Sequence, residues 1–348
     1  MAYEGILKDI RICVDLGIPE RIPMFGIGMP FNIKMAGITH SQYTNDIDLM
    51  TKTEVDSVLK YDYDWAIPFS DDFLEIEPLG VVTKQQENIP IAAVKYLDVS
   101  HKTVKNLKLS DCTKTGRMPS LLEVQRKIKN ILKNTICLTG HVAAPFTAVS
   151  LLFGTAETLM LIHNDRQLLN EVIDFCTELE IRWAQAQLDA GADAIWLGDC
   201  VASSSFISPG QFAEFAAEPA KKVCESIKDK GGFVFYHSSE NSIKHLKLAA
   251  EMGFSAINIG EGADMAEVKK QIGDKVCVMG NINPIEILWQ GSPKEVEKET
   301  KRIIEAAGRN GGFIFNSAEG IVMETPEENL KAMINTVKSV GKYPISKI

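Results

Sequence analysis

The chain has 348 residues, 45% of them hydrophobic, enough to bury a sizeable core in one large domain or two modest ones. Its formal net charge of −9 weighs against nucleic-acid binding, which needs a basic face for phosphates. No apolar run reaches the roughly 18 residues of a membrane helix, and the opening stretch MAYEGILKDIRICVDLG carries charges throughout. Neither a membrane span nor a signal peptide is therefore expected, and the expected location is cytoplasmic.

Along the first half, RIPMFGIG (Arg21–Gly28), YDWAIPFS (Tyr63–Ser70) and TICLTGHVAAP (Thr135–Pro145) read as strands. LEIEPLGVVTKQQENIPIAAVKYLDV (Leu74–Val99) reads as further strands joined by turns, an excursion from the rim of the main fold. NDRQLLNEVIDFCTELEIRWAQAQLDAG (Asn164–Gly191) has the apolar period of a long helix. The second half is more regular. ADAIWLGD (Ala192–Asp199), GFVFYHS (Gly232–Ser238), SAINIG (Ser255–Gly260), KVCVMGNI (Lys275–Ile282) and GGFIFNS (Gly311–Ser317) are short apolar runs between glycines or polar residues. Strands buried on both faces of a parallel sheet look like this. Between them lie helical patterns that open on Ser, Asn or Asp and close on Gly, such as Ser292–Gly311.

About eight such β-α units predict a (β/α)8 TIM barrel occupying 1–348 as a single domain. A doubly wound open sheet is the alternative, but no G-x-G-x-x-G follows any strand. Seven cysteines (Cys13, Cys112, Cys137, Cys176, Cys200, Cys224 and Cys277) form no C-x-x-C pair, and their odd count reads as reduced thiols.

In a barrel the reacting groups gather at the C-terminal strand ends. Those positions hold Ser70-Asp71-Asp72, His141, Asp199-Cys200, Tyr236 to Glu240, Glu261, Asn281 and Asn316 to Glu319. Polar ends on apolar strands point to an enzyme. His237, Glu261 and Glu319 come from three strands at matching ends, and a histidine with two carboxylates suits a catalytic zinc with one open position; Glu240 is a further donor. The competing reading is that His237 bonds a neighbouring carboxylate and holds no metal. Of the adjacent acids Asp71 and Asp72, one at most reaches the cavity; Asp71, Asp199, His141 and Asn281 are the expected catalytic residues. Met29, Tyr236, Ser239 and Asn316 are expected to touch substrate. His40, His101, His163 and His245 fall on helix or loop patterns and are expected to face solvent.

Four segments carry a resemblance. DYDWAIPFSDDFLEIEPLG, GHVAAPFTAVSLLFG, GNINPIEILWQGSPKEVEKETKRIIEA and FNSAEGIVMETPEENLKAMI together resemble the uroporphyrinogen decarboxylase superfamily, over nearly the whole chain. The similarity is nearest its corrinoid-dependent methyltransferase branch. It implies a TIM barrel with its site at the C-terminal mouth and Asp71 as the family aspartate. Decarboxylating members hold substrate carboxylates with an arginine-rich segment near the N-terminus, and the corresponding GIGMPFNIKMAGI has no arginine. Their histidine in the final strand segment falls on Glu319.

The methyltransferase branch binds zinc through a His-x-Cys pair, a glutamate about two dozen residues later and a final cysteine. His237 and Glu261 match the first and third, while Ser239 and Glu319 stand where the cysteines would be. Loss of thiolates leaves a harder, more Lewis-acidic site, suited to polarising the oxygen of an O-methyl donor. The resemblance thus implies a zinc-assisted transfer of methyl between a small methylated substrate and the cobalt of a corrinoid. No D-x-H-x-x-G cobalamin signature occurs, so the corrinoid is expected on a partner protein. The alternative is a decarboxylase or lyase of a small carboxylic acid.

Overall fold

The structure is a computed structural model that describes residues 3–345. Its nine strands are β1 (Trp65–Ala66), β2 (Val82–Lys84), β3 (Ala92–Lys95), β4 (Cys137–Ala143), β5 (Ala194–Gly198), β6 (Phe233–His237), β7 (Ala256–Asn258), β8 (Cys277–Ile282) and β9 (Phe313–Ser317). Seven form one sheet in the order β1-β4-β5-β6-β7-β8-β9, and every pairing in it is parallel. The order follows the chain without reversal, so the switch point of a doubly wound sheet is missing. Parallel neighbours need crossovers, and helices such as Arg166–Asp189 between β4 and β5 supply them.

The run Arg21–Gly28 does not become a regular strand as its apolar character predicts. It makes only isolated bridges, Arg21 with Lys342 and Met24 with Phe315, because Pro23 has no N–H to donate and Gly26 and Gly28 add no side chain to pack. It nevertheless lies between the two ends of the sheet. Phe25 N–H donates to Phe315 O at 2.8 Å, Phe315 N–H to Pro23 O at 2.9 Å, and Asp64 N–H to Met24 O at 3.2 Å, next to β1.

Aromatic side chains from four of these segments meet inside the curled sheet. Phe25 stacks on Trp65 with ring centroids 4.5 Å apart, Trp65 meets Trp196 edge-on at 5.6 Å, and Phe25 meets Phe235 at 5.6 Å. Trp65 also donates its indole N–H to Gly26 O at 2.9 Å, so burial leaves no polar atom unpaired. This layer floors the C-terminal end of the sheet.

The excursion after β1 is realised as the antiparallel β2–β3 hairpin. It is tied to the helix Pro145–Phe153 by Leu97 N–H to Leu152 O at 2.9 Å. Capping follows the sequence signals: Ser292 and Glu295 form a reciprocal capping box, and Asp165 accepts from Leu168 N–H. Among the described residues no single helix is long and apolar enough to cross a membrane; Pro145–Phe153 and Thr155–Asn164 reach that length only as a pair bent by 110°.

Trp65 is 2% exposed, and its truncation empties the centre of the aromatic layer. Trp65→Ala should destabilise the fold by about 3–5 kcal/mol, seen as a lower urea midpoint with the slope of the transition unchanged.

Candidate active site at the C-terminal strand ends

The pleat of β6 decides which of its polar residues can act. Successive side chains point to opposite faces, so Tyr236 and His237 part company. Tyr236 is fully buried, stacks on Phe254 at 4.3 Å and donates to Asp199 Oδ2 at 2.9 Å. It faces the helices and cannot touch a substrate, contrary to the sequence expectation. His237 faces inward, its ring 5.0 Å from that of Trp196. Its Nε2 lies 3.2 Å from Glu319 Oε2 and its Nδ1 3.2 Å from Asn258 Nδ2. His237 is thus bonded to a carboxylate from the end of β9.

Asn258 pairs with His237 in the parallel register of β6 and β7. Its Nδ2 also donates to Ala318 O at 2.8 Å and Ser317 O at 3.4 Å, while its Oδ1 accepts from Asn316 Nδ2 at 3.0 Å. Asn316, expected at the substrate, is fully buried and serves this amide ladder instead.

On the other side of His237 stands Cys200, the exposed one among seven cysteines. Its Sγ is 3.5 Å from Ser239 Oγ. Ser239 has φ 54°, a left-handed conformation that costs a non-glycine residue energy. The turn that enforces it is packed tightly: a Cβ on Gly260 would lie 2.5 Å from Ser239 O. Burial opposes a charge on His237, but its hydrogen bonding to Cys200 and Glu319 prevails and raises its pKa. The Glu319 carboxyl is held below its usual range: burial raises it, and bonding to His237 and Ser239 outweighs that.

Asp71 and Asp72 divide as adjacency requires, with the assignment reversed. Asp71 is locked away from the cavity by Arg117 (2.7 and 2.9 Å), Ser70 Oγ (2.8 Å) and Phe73 N–H (2.9 Å). Asp72 takes the inner position, 3.6 Å from His141 Nε2. Its side chain stays half exposed there; partial burial, then the Asp71 charge, raise its carboxyl above the usual range. Burial and then the nearby His237 lower His141 to about 3, so His141 is a neutral wall residue beside Phe69, whose ring is 4.2 Å away.

The remaining expected residues support the site from behind. Asp199 is wrapped by Thr147 Oγ1 and Tyr236 OH, both at 2.9 Å, with no face toward the cavity. Asn281 clamps the turn after β7 by donating to Gly260 O and Ala263 O, each at 3.1 Å. Met29 is buried against a separate, very small cavity of about 10 Å³ shared with Tyr63 and Glu54. Glu240 spends its carboxylate on Ser204 N–H and Oγ and on Asn241 and Ser242 N–H. His40 and His245, expected in solvent, are buried and bond to Ser70 O and Ile207 O.

The expected zinc set does not fit. Glu261 is exposed on the turn after β7, where its backbone O accepts from Asn241 Nδ2 at 3.2 Å. The inward position of that strand goes to Asn258 instead, because β7 ends three residues earlier. Among the described residues no group of three or more His, Cys, Asp or Glu side chains is arranged to hold a metal ion.

One site residue escaped sequence reasoning, Asn258, although it had a signal as the polar residue within the apolar run SAINIG. Asp72 and Cys200 stand among the polar strand-end positions read from the sequence, but no role was assigned to either.

Asp199 provides a pH test. Burial raises it from 3.8 to about 7, against the hydrogen bonds of Thr147 and Tyr236. The folded state therefore holds a proton that the unfolded chain has lost, and stability falls as pH rises from about 4 to about 7. In Asp199→Asn that loss is removed, so the melting temperature of the variant relative to the native protein should climb across the same window.

Comparison with known proteins follows this geometry. Residues 21–340 match the family described as uroporphyrinogen decarboxylase (URO-D). The methylcobamide:CoM methyltransferase MtbA of Methanosarcina mazei is 26% identical over 256 residues, 74% of this chain and 72% of that protein. The uroporphyrinogen decarboxylase of a Wolbachia strain from Drosophila simulans is 30% identical over 300 residues, 84% of each chain. A solved methyltransferase structure from Methanosarcina mazei superposes with a TM-score of 0.87 at 21% identity, covering 96% of this chain and 98% of that one. The chain belongs to the uroporphyrinogen decarboxylase (URO-D) family.

Proposed function

We propose that the protein is a corrinoid-dependent methyltransferase. It moves a methyl group between a small O-methylated substrate and the cobalt of a corrinoid carried by a separate protein. Its chain forms one domain, a (β/α)8 barrel in which the segment around Met24 closes the ring between β1 and β9. The relatives support a barrel enzyme of this family, and MtbA supports the methyl-transfer branch.

The observation that carries the reading is the chemistry of the mouth. Glu319 and Cys200 converge on His237 above an aromatic floor, with Asp72 and His141 opposite. Such a site offers acids and an apolar bed, and its one imidazole with a raised pKa, His237, is already paired with Glu319, which leaves little counter-charge for a carboxylate-rich substrate. Arg117, the arginine beside it, has its guanidinium divided between Asp71 and Glu77. A porphyrinogen with many carboxylates would therefore enter with little counter-charge, and a like-charged mouth repels it. A small neutral ether or alcohol pays no such cost.

The test is methylation of cob(I)alamin by the purified protein, with methoxylated aromatics, methanol and methylamines offered in turn. Methyl transfer from at least one oxygen-linked donor is expected, falling by about 100-fold or more in Glu319→Gln. Release of CO2 from uroporphyrinogen without any methyl transfer would overturn the assignment in favour of decarboxylation.

A further inference from the structure

We infer that His237 presents an N–H hydrogen-bond donor through Nε2, not a metal-binding lone pair, and that Asn258 and Asn316 are the positioning residues that fix this. An amide nitrogen can only donate. Asn258 presents Nδ2 to His237 Nδ1 at 3.2 Å, so in the neutral ring Nδ1 meets an N–H and offers its lone pair. The ring proton then sits on Nε2, directed at Glu319 Oε2 3.2 Å away.

The Asn258 amide has no freedom to turn over. Its Nδ2 faces the carbonyls of Ala318 (2.8 Å) and Ser317 (3.4 Å), and its Oδ1 receives Asn316 Nδ2 (3.0 Å). Asn316 is fixed in turn, because its Oδ1 accepts from Ser317 N–H at 2.9 Å. A flipped Asn258 would set oxygen against two carbonyl oxygens and N–H against N–H. Both asparagines are fully buried, so no water relieves the mismatch, and each unpaired group would carry its full desolvation cost. A metal-binding histidine needs the opposite arrangement: an acceptor on the second nitrogen, so that the coordinating nitrogen is bare.

The catalytic consequence rests on the methyl-transfer reading; the tautomer does not. As a methyl ether or alcohol is demethylated, the O–CH3 bond breaks with its electron pair on oxygen. The Nε2–H donates a hydrogen bond to that oxygen as its charge develops, and a proton from solvent completes the free alcohol. The methyl carbon takes the electron pair of the cobalt(I) of the corrinoid substrate, which becomes cobalt(III) in the product. Glu319 at 3.2 Å holds the ring in line.

Nitrogen-15 NMR of the full-length protein, labelled in histidine, reads the tautomer directly. A protonated Nε2 and, at high pH, a bare Nδ1 are expected for His237. Zinc titration followed by metal analysis is the second readout, with Asn258→Asp as the variant. An aspartate there accepts the Nδ1 proton and frees Nε2 toward Glu319 and Cys200. Zinc affinity should then rise by about 10- to 100-fold, while the Nε2–H hydrogen-bond donor is lost and methyl transfer slows most for donors with the least acidic alcohols. Native protein with a bare Nε2 or with zinc bound at it would overturn the inference, as would an Asn258→Asp variant that folds with the native tautomer. If Asn258→Asp does not fold, the native spectrum decides alone. A protein that shows the expected tautomer yet methylates no corrinoid would overturn the proposed function and leave the His237 assignment standing.

Discussion

Hydrogen bonding between β6 and β7 sets His237 beside Asn258, and the site is built outward from that pairing. Parallel neighbours in register share a face, so the register fixes both which residues look inward and which atoms of them meet. From Asn258 the constraint runs to Asn316 on β9 and to the carbonyls of Ser317 and Ala318. From His237 it runs to Glu319 and Cys200. One buried amide thereby links the chemistry at the mouth to the strand that meets the Pro23–Phe25 segment across the sheet's open side.

The parallel strands of the second half were legible because each is a short apolar run with a polar end, and the structure starts and stops them within two or three residues of the expected positions. The first half was less legible for a physical reason. Its first strand-like segments are reduced to bridges or to the two residues of β1, and Pro23 and the glycines around it interrupt the pattern that periodicity relies on. His237 and Glu319 could be read from sequence because they fall at strand ends. Glu261 was misread for the same reason: the strand before it stops at Asn258, and the chain turns outward before the glutamate is reached. Tyr236 and Asp71 were misread by one residue. In a pleated strand or a tight turn, one residue is the difference between the cavity and its backing.

The acids of this end are sorted by partner, not by sequence position. Asp71 meets a guanidinium, Asp199 two hydroxyls, and Glu240 a set of backbone N–H groups; each is fixed where it sits. Asp72 meets an imidazole and Glu319 an imidazole and the Ser239 hydroxyl, and both remain available to the mouth. The neighbours of the locked acids are as informative as the acids themselves, because a carboxylate with every lone pair occupied cannot exchange protons with a substrate.

The six buried cysteines and the single exposed one have a practical consequence. Cys200 stands against Ser239 at the opening through which any substrate must pass, while Cys13, Cys112, Cys137, Cys176, Cys224 and Cys277 are shielded by the packed interior. The native chain thus carries its own reporter group. A thiol-reactive probe has one accessible address, and its rate of attachment reads how often the mouth stands empty, without any engineered residue.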